Sequence, residues 1–379
     1  MRFLICYLML GLASLSTLVK AEQVVLKIDD QRFEQPLEFN VQLPKSYSQK
    51  QNKRYVLMFD FHPNAKSYVT GMHDWMSHNG EWPWLESIIV TPAYGNPVAR
   101  LFDATGKTTP LLDFFETQLV PEIDKQYRTN GFRIFSGFRV NGSIVLSSLV
   151  NKPNLFNAHI VISPELTPER VNILKDYGKK LAKLNDKPRY LLFTHGETIK
   201  EDHQQKRYSQ LKEEISANAP VSLQWQYQNF AEHYFMSLPV LSTAYGIEQI
   251  FDEVHNGLAP ESKIARQGVD AIVAHYKRLS TEKFGFEVSP KSSINALGFH
   301  LLETSPEQAI KVFNQALALY PQDAYAYHHL AKAYAQSHKL VKAIELQEKA
   351  VSLAANMLTW HKKRQASYLA ELKAQQQAL

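Results

Sequence analysis

The 379 residues are 45% hydrophobic and 21% charged, an ordinary globular balance with material for about two to three domains. Forty-two basic residues against 37 acidic give a formal charge of +5, too even to indicate a nucleic-acid partner. Cys6 is the single cysteine, so the chain beyond it needs no disulfide and has neither a thiol nucleophile nor a Cys-ligated metal.

The chain opens like a secretory signal peptide ending near Ala21. Arg2 supplies a positive start, Phe3 to Leu12 is almost wholly apolar, and Val19-Lys20-Ala21 suits cleavage. The apolar run is too short to span a bilayer, and no later stretch reads as a span. The expectation is therefore a periplasmic or secreted protein without stable membrane insertion. Removing Arg2 and Lys20 leaves 40 basic against 37 acidic residues, about +3.

Strands are expected at Val24–Ile28, Leu37–Leu43, Tyr55–Phe61 and Ser87–Thr91. The third is a continuous apolar run, as in a sheet covered on both faces. Leu111, Leu112, Phe115, Leu119, Ile123 and Tyr127 form one apolar helical stripe. Further strands are expected at Phe132–Phe138, 158–163, Tyr190–Thr194 and Leu223–Tyr227. Strands alternating with helices predict a mostly parallel, doubly wound α/β sheet over 22–254.

Between strand 132–138 and the helical run Ile144 to Val150 sits Gly137-Phe138-Arg139-Val140-Asn141-Gly142. Two glycines five apart, joining strand to helix, suit a nucleophile elbow, a sharp turn that exposes its middle residue. The N–H of the following residue, Val140, would then be one donor to an oxyanion. The residue at the apex is Arg139. A guanidinium stays protonated and has no lone pair to donate, so it cannot attack an ester.

These residues, with Leu149-Val150-Asn151-Lys152-Pro153-Asn154-Leu155-Phe156 and Ile160-Val161-Ile162-Ser163-Pro164, resemble the esterase family of α/β hydrolases that includes esterase D and the enterochelin esterases. The similarity covers roughly residues 24 to 252. The resemblance implies an α/β-hydrolase fold and acyl-transfer chemistry with a Ser, acid, His order. It places the family's serine on Arg139, its histidine before the serine on Phe138, and one glycine on Asn141. Asn229 to Pro239 resembles the family's acidic-x-His-x-Ser-x-Pro loop and puts His233 at the base position. Glu197, in the loop after strand 190–194, is the expected acid, with Glu201 and Asp202 as alternatives. The second oxyanion donor would be backbone near His62. Ser136 lies within the strand and Ser143 a turn down the helix, so neither takes over readily as nucleophile. His62, His73 and His78 are too loosely spaced for a metal site; no metal and no cofactor is expected.

After Phe251 the strand signals end. Residues 255–289 read as a helical linker, with a helix at 261–278. Ala309, Phe313, Ala316 and Pro321 then recur as Ala343, Gln347, Ala350 and Ala355, and Leu297-Gly298 answers Leu330-Ala331. This 34-residue period resembles tetratricopeptide repeats over 290–379, capped by a helix at 360–377. Three functions follow as expectations. The first is a non-hydrolytic binder of an acidic ligand at Arg139, with a protein partner on the repeats. The second is an active carboxylic-ester hydrolase with a displaced serine. The third is a scaffold acting through its repeats alone.

Overall fold

The computed structural model describes residues 22–62, 64–78, 83–95, 97–101, 109–169 and 171–378. The segment that reads as a signal peptide, ending near Ala21, lies outside them. Eight strands form one sheet: β1 (Gln23–Ile28), β2 (Leu37–Gln42), β3 (Tyr55–Asp60), β4 (Ser87–Pro92), β5 (Thr129–Phe138), β6 (Ala158–Ile162), β7 (Arg189–His195) and β8 (Leu223–Asn229). Their order is β1-β2-β4-β3-β5-β6-β7-β8. The pairs β1/β2 and β2/β4 are antiparallel, and all pairs from β4 onward are parallel. Every expected strand is present, so the mixed, mostly parallel α/β sheet follows the sequence pattern closely.

The helices accompanying the sheet are α1 (Ala65–Met76), α2 (Thr109–Phe114), α3 (Val120–Gln126), α4 (Val140–Asn151), α5 (Tyr177–Leu181), α6 (Gln205–Asn218), α7 (Leu238–Ile250) and α8 (Asp252–His255). Alternation along the strands divides the core in two, because successive side chains leave opposite faces. Leu57 and Phe59 of β3 join Val161, Leu191 and Phe193 under α4 and α6, where Val145, Leu149, Leu211 and Ile215 are buried. Val56 and Met58 join Ile134, Ile160 and Leu192 under α1 and α7, where Val69, Leu238 and Ile247 are buried. The helix expected over 111–127 is interrupted between α2 and α3 by a π-helical turn, Phe115–Leu119. Pro121 follows that turn. Its ring would collide with the carbonyl four residues back in a regular helix, so a widened turn accommodates it.

Beyond residue 255 the chain is helical. A short 3-10 turn at Ala265–Gln267 and a break at Gly268 (φ 98°) precede α9 (Val269–Arg278). The continuous helix expected over 261–278 is therefore shorter by its first two turns, because that backbone conformation cannot sit inside a right-handed helix. Phe284 and Phe251 both pack on Phe132 of β5, at 5.6 and 5.7 Å between centroids. The helical region thus shares a core with the sheet. Two helix pairs follow, α10 (Lys291–Thr304) with α11 (Pro306–Leu319) and α12 (Ala324–Gln336) with α13 (Leu340–Leu353), then α14 (Thr359–Gln377). Small residues stand where helices approach: Ala309, Ala331, Ala343 and Ala350 are fully buried or nearly so.

Gly298 shows how close that approach is. A Cβ there would lie 2.4 Å from the ring of Phe313, which is itself fully buried. Gly298→Ala would gain about 1 kcal/mol of helix propensity, but overpacking a buried ring costs typically about 1–3 kcal/mol. Urea unfolding of that variant is expected to show net destabilisation. A more stable variant would mean the pair is looser than described.

Candidate functional site

The strand β5 and the helix α4 meet at a single residue. Arg139 adopts φ 57°, ψ −123°, a conformation that costs a non-glycine residue on the order of 1–3 kcal/mol and persists only where the surroundings impose it. They do so through the backbone. The Arg139 N–H donates to Ile162 O of β6 (3.0 Å), and the Arg139 carbonyl accepts from the N–H groups of Ser143 (3.1 Å) and Glu165 (3.2 Å). A Cβ on Gly137 would meet the carbonyl carbon and oxygen of Asn141 at 2.5 Å. The turn closes only because that atom is missing.

The Arg139 side chain is exposed. It makes no ion pair with a described residue. Its guanidinium lies 5.7 Å from the centroid of Phe235, whose ring packs at 4.9 Å on Phe138. Beneath it is a recess of about 10 Å³, room for about one water. Lys200 and His203 line this recess, as do Glu165 and Glu201. Val140 opens α4, so its N–H has no acceptor within the helix, and none among the other described residues.

The expected partners do not form a relay. His233 is exposed on the loop after β8. Its N–H donates to Phe230 O (3.0 Å) and its ring packs edge-on against Phe230. The imidazole nitrogens make no hydrogen bond to a described residue. Glu197 is exposed and accepts from the Asn229 amide at 2.6 Å. Glu201, named as an alternative acid, is buried and holds the β6 and β7 loops together. It accepts from the Ser163 hydroxyl (2.7 Å), the Gly196 N–H (3.0 Å) and the Thr198 hydroxyl (3.3 Å). Asp202 begins the short 3-10 turn that leads into α6.

The serines around the elbow offer no free, exposed hydroxyl. The Ser143 hydroxyl turns inward and donates to Glu165 O at 2.5 Å. Ser163 is committed to Glu201. Ser136 is fully buried on β5. The groups His62, His73 and His78 do not converge either: among the described residues no cluster of His, Cys, Asp and Glu could hold a metal ion. His73 is buried and accepts from the Ser87 N–H at 2.8 Å; burial depresses its pKa to about 4.

One polar centre was not legible in the sequence. Asp60, at the end of β3, is completely buried, and no described cation pairs with it. The Tyr68 hydroxyl (2.6 Å) and the His62 N–H (2.9 Å) donate to its carboxylate. The His62 N–H, expected as a donor to a bound oxyanion, is therefore directed inward. Ser136 lies opposite Asp60 in register, but its hydroxyl makes no full hydrogen bond. Burial pushes the Asp60 pKa up to about 6, partly opposed by the Tyr68 hydroxyl, the His62 N–H and the neighbouring Ser136 hydroxyl. The usual aspartate value in an unfolded chain is about 4, so the folded state holds the proton more tightly. The resulting stability is full below about pH 4 and is lost as pH rises through 6. Relative to Asp60→Asn, the wild-type protein should lose about 2 kcal/mol of stability between pH 4 and 8. Denaturant midpoints of the two proteins across that range measure it; a constant difference would contradict the burial of an ionisable group.

Comparisons with known proteins agree with this architecture. The chain is 30% identical over 154 residues to the ferri-bacillibactin esterase BesA of Bacillus subtilis, a match covering 38% of this chain and 52% of that protein. It thus spans about half the length of that curated relative. Among solved structures, an IroE-like serine hydrolase from Shewanella oneidensis superposes with a TM-score of 0.61 at 17% identity, over 79% of this chain and all of the other. An uncharacterised protein from Capnocytophaga ochracea superposes with a TM-score of 0.64 at 14% identity, over 93% of this chain and all of the other. That second match is too long to be confined to the sheet and extends into the C-terminal helices. At such identities both likenesses bear on the fold alone. Residues 31–230 match the family described as "Putative esterase"; this is more than half of the chain, and the protein belongs to that family of α/β hydrolases.

Proposed function

We propose that this protein is an esterase-family member that binds an acidic ligand at its elbow and does not hydrolyse esters. The observation that carries this reading is the exposed guanidinium of Arg139, with no ion pair to a described residue, at the strained apex between β5 and α4. That cation belongs to the N-cap residue of α4, where the Val140 N–H and the helix dipole also favour negative charge. Arginine grips a carboxylate or phosphate in two places. The shallow recess suits one anionic group held at the surface rather than a whole molecule buried in a pocket. Glu165 and Glu201 line the same recess but are engaged in hydrogen bonds, so their charge is already partly compensated.

The helix pairs α10/α11 and α12/α13 with α14 are proposed to be tetratricopeptide-like repeats over 290–379 that hold a protein partner. Export by a cleaved signal peptide fits this reading. The active-hydrolase alternative cannot use Ser136, Ser143 or Ser163, whose hydroxyls are buried or already hydrogen-bonded. Ferri-bacillibactin, from the name of the Bacillus relative, is the first organic ligand to try.

Equilibrium titration with inorganic phosphate and with acetate tests the proposal. Arg139→Ala should weaken both by about tenfold to a hundredfold, the worth of a charge-assisted hydrogen-bonded pair. Equal affinity in both proteins would remove Arg139 from the reading.

A further inference from the structure

A cavity of about 510 Å³ lies where the segment 260–268 crosses α10 and α11, far along the chain from the elbow and unrelated to its chemistry. Its size falls within the range of small-molecule sites. The floor is apolar: Ala265, Leu297 and Val312 are buried, and Leu301 is half-buried beside them. Two cations stand over this floor from different elements, Arg266 from the turn before α9 and Lys311 from α11. Neither makes an ion pair with a described residue. The one acid lining the cavity, Glu261, faces His300 at 3.4 Å. Gln308, exposed at the mouth, adds an amide with no side-chain hydrogen bond to a described residue.

We infer that this cavity is a second binding site, for a small organic anion with an apolar body, such as an aryl or alkyl carboxylate. An apolar body gains by covering the floor, at about 25 cal/mol per Å² of apolar surface removed from water. The anionic head meets two exposed cations, neither of which is paired with Glu261, the acid on the lining, which lies against His300 instead. Neither feature alone would select this class: a neutral apolar ligand would leave both cations unanswered, and inorganic phosphate would leave the floor wet. Because the walls come from the linker and from the first helix pair, an occupant would also brace one against the other.

The test is a fluorescence titration of the full chain with 1-anilinonaphthalene-8-sulfonate, an anionic fused aromatic of suitable size. The expected result is saturable binding at one site per chain. The double variant Arg266→Ala/Lys311→Ala should bind it at least tenfold more weakly. Gln308→Trp, which fills the mouth from an exposed position, should do the same. Arg139→Ala should leave this binding unchanged, so failure here and failure of the elbow reading are distinguishable. All three changes are at exposed residues, and unaltered circular dichroism and melting temperature confirm that each variant folds. N-phenyl-1-naphthylamine, the same ring system without the sulfonate, should bind at least tenfold more weakly than the sulfonate. If the double variant keeps wild-type affinity, or the neutral probe binds as well as the anionic one, the assignment to an organic anion is overturned. If Gln308→Trp has no effect, the cavity is not the site.

Discussion

Wild-type protein is expected to leave p-nitrophenyl acetate at its background rate of hydrolysis. Loss of the nucleophile alone costs a serine hydrolase about 10⁶-fold in kcat, and here the apex carries a guanidinium that cannot attack. The nearby hydroxyls do not replace it. Ser143 donates into the backbone at Glu165, Ser163 is bound to Glu201, and Ser136 is sealed beneath the turn. Arg139→Ser would restore a hydroxyl at the strained apex. That variant should gain turnover only weakly, because His233 has no acid to orient its ring, and a missing orienting acid costs about 10⁴-fold. The assay compares wild type, Arg139→Ser and His233→Ala. Wild-type turnover that disappears in His233→Ala would show a working relay and overturn the silent-elbow reading.

Gly137→Ala is expected to be the most damaging single methyl in the domain. The added carbon would lie 2.5 Å from backbone atoms of Asn141, and backbone cannot rotate out of the way as a side chain can. Either α4 shifts off β5 or the turn opens. Overpacking of this kind costs about 3 kcal/mol or more, a large part of a domain stability of about 5–15 kcal/mol. Thermal and urea unfolding should both show it, with a lower midpoint at unchanged slope. A Gly137→Ala protein that melts with the wild type would mean that the turn is wider than 139 at its apex requires.

The strands and the elbow were legible because hydrophobic patterning and the Gly137–Gly142 spacing are local signals. Continuous apolar runs such as Tyr55–Phe61 announced a sheet covered on both faces, and strand–turn–helix order located residue 139. What could not be read were the directions of polar groups. Glu201 sits four residues after Glu197, yet it turns inward to a serine 38 residues away, while Glu197 remains at the surface. The His62 N–H turns inward because Asp60, two residues earlier, is buried and accepts from it. Phe235 covers the apex from the loop that carries His233, a contact nearly a hundred residues apart in the chain. The helical region was legible as to its small residues, but the break at Gly268 depended on a single backbone angle that periodicity does not encode.

The central claim is that the guanidinium of residue 139 itself meets the anion. Nitrogen-15 NMR of the arginine side chains during addition of acetate, then of phosphate, observes that contact directly. The account predicts that the Arg139 Nε–H and Val140 N–H resonances shift together and saturate at one concentration. Resonances that stay fixed while anion binding is detected by another method would contradict it.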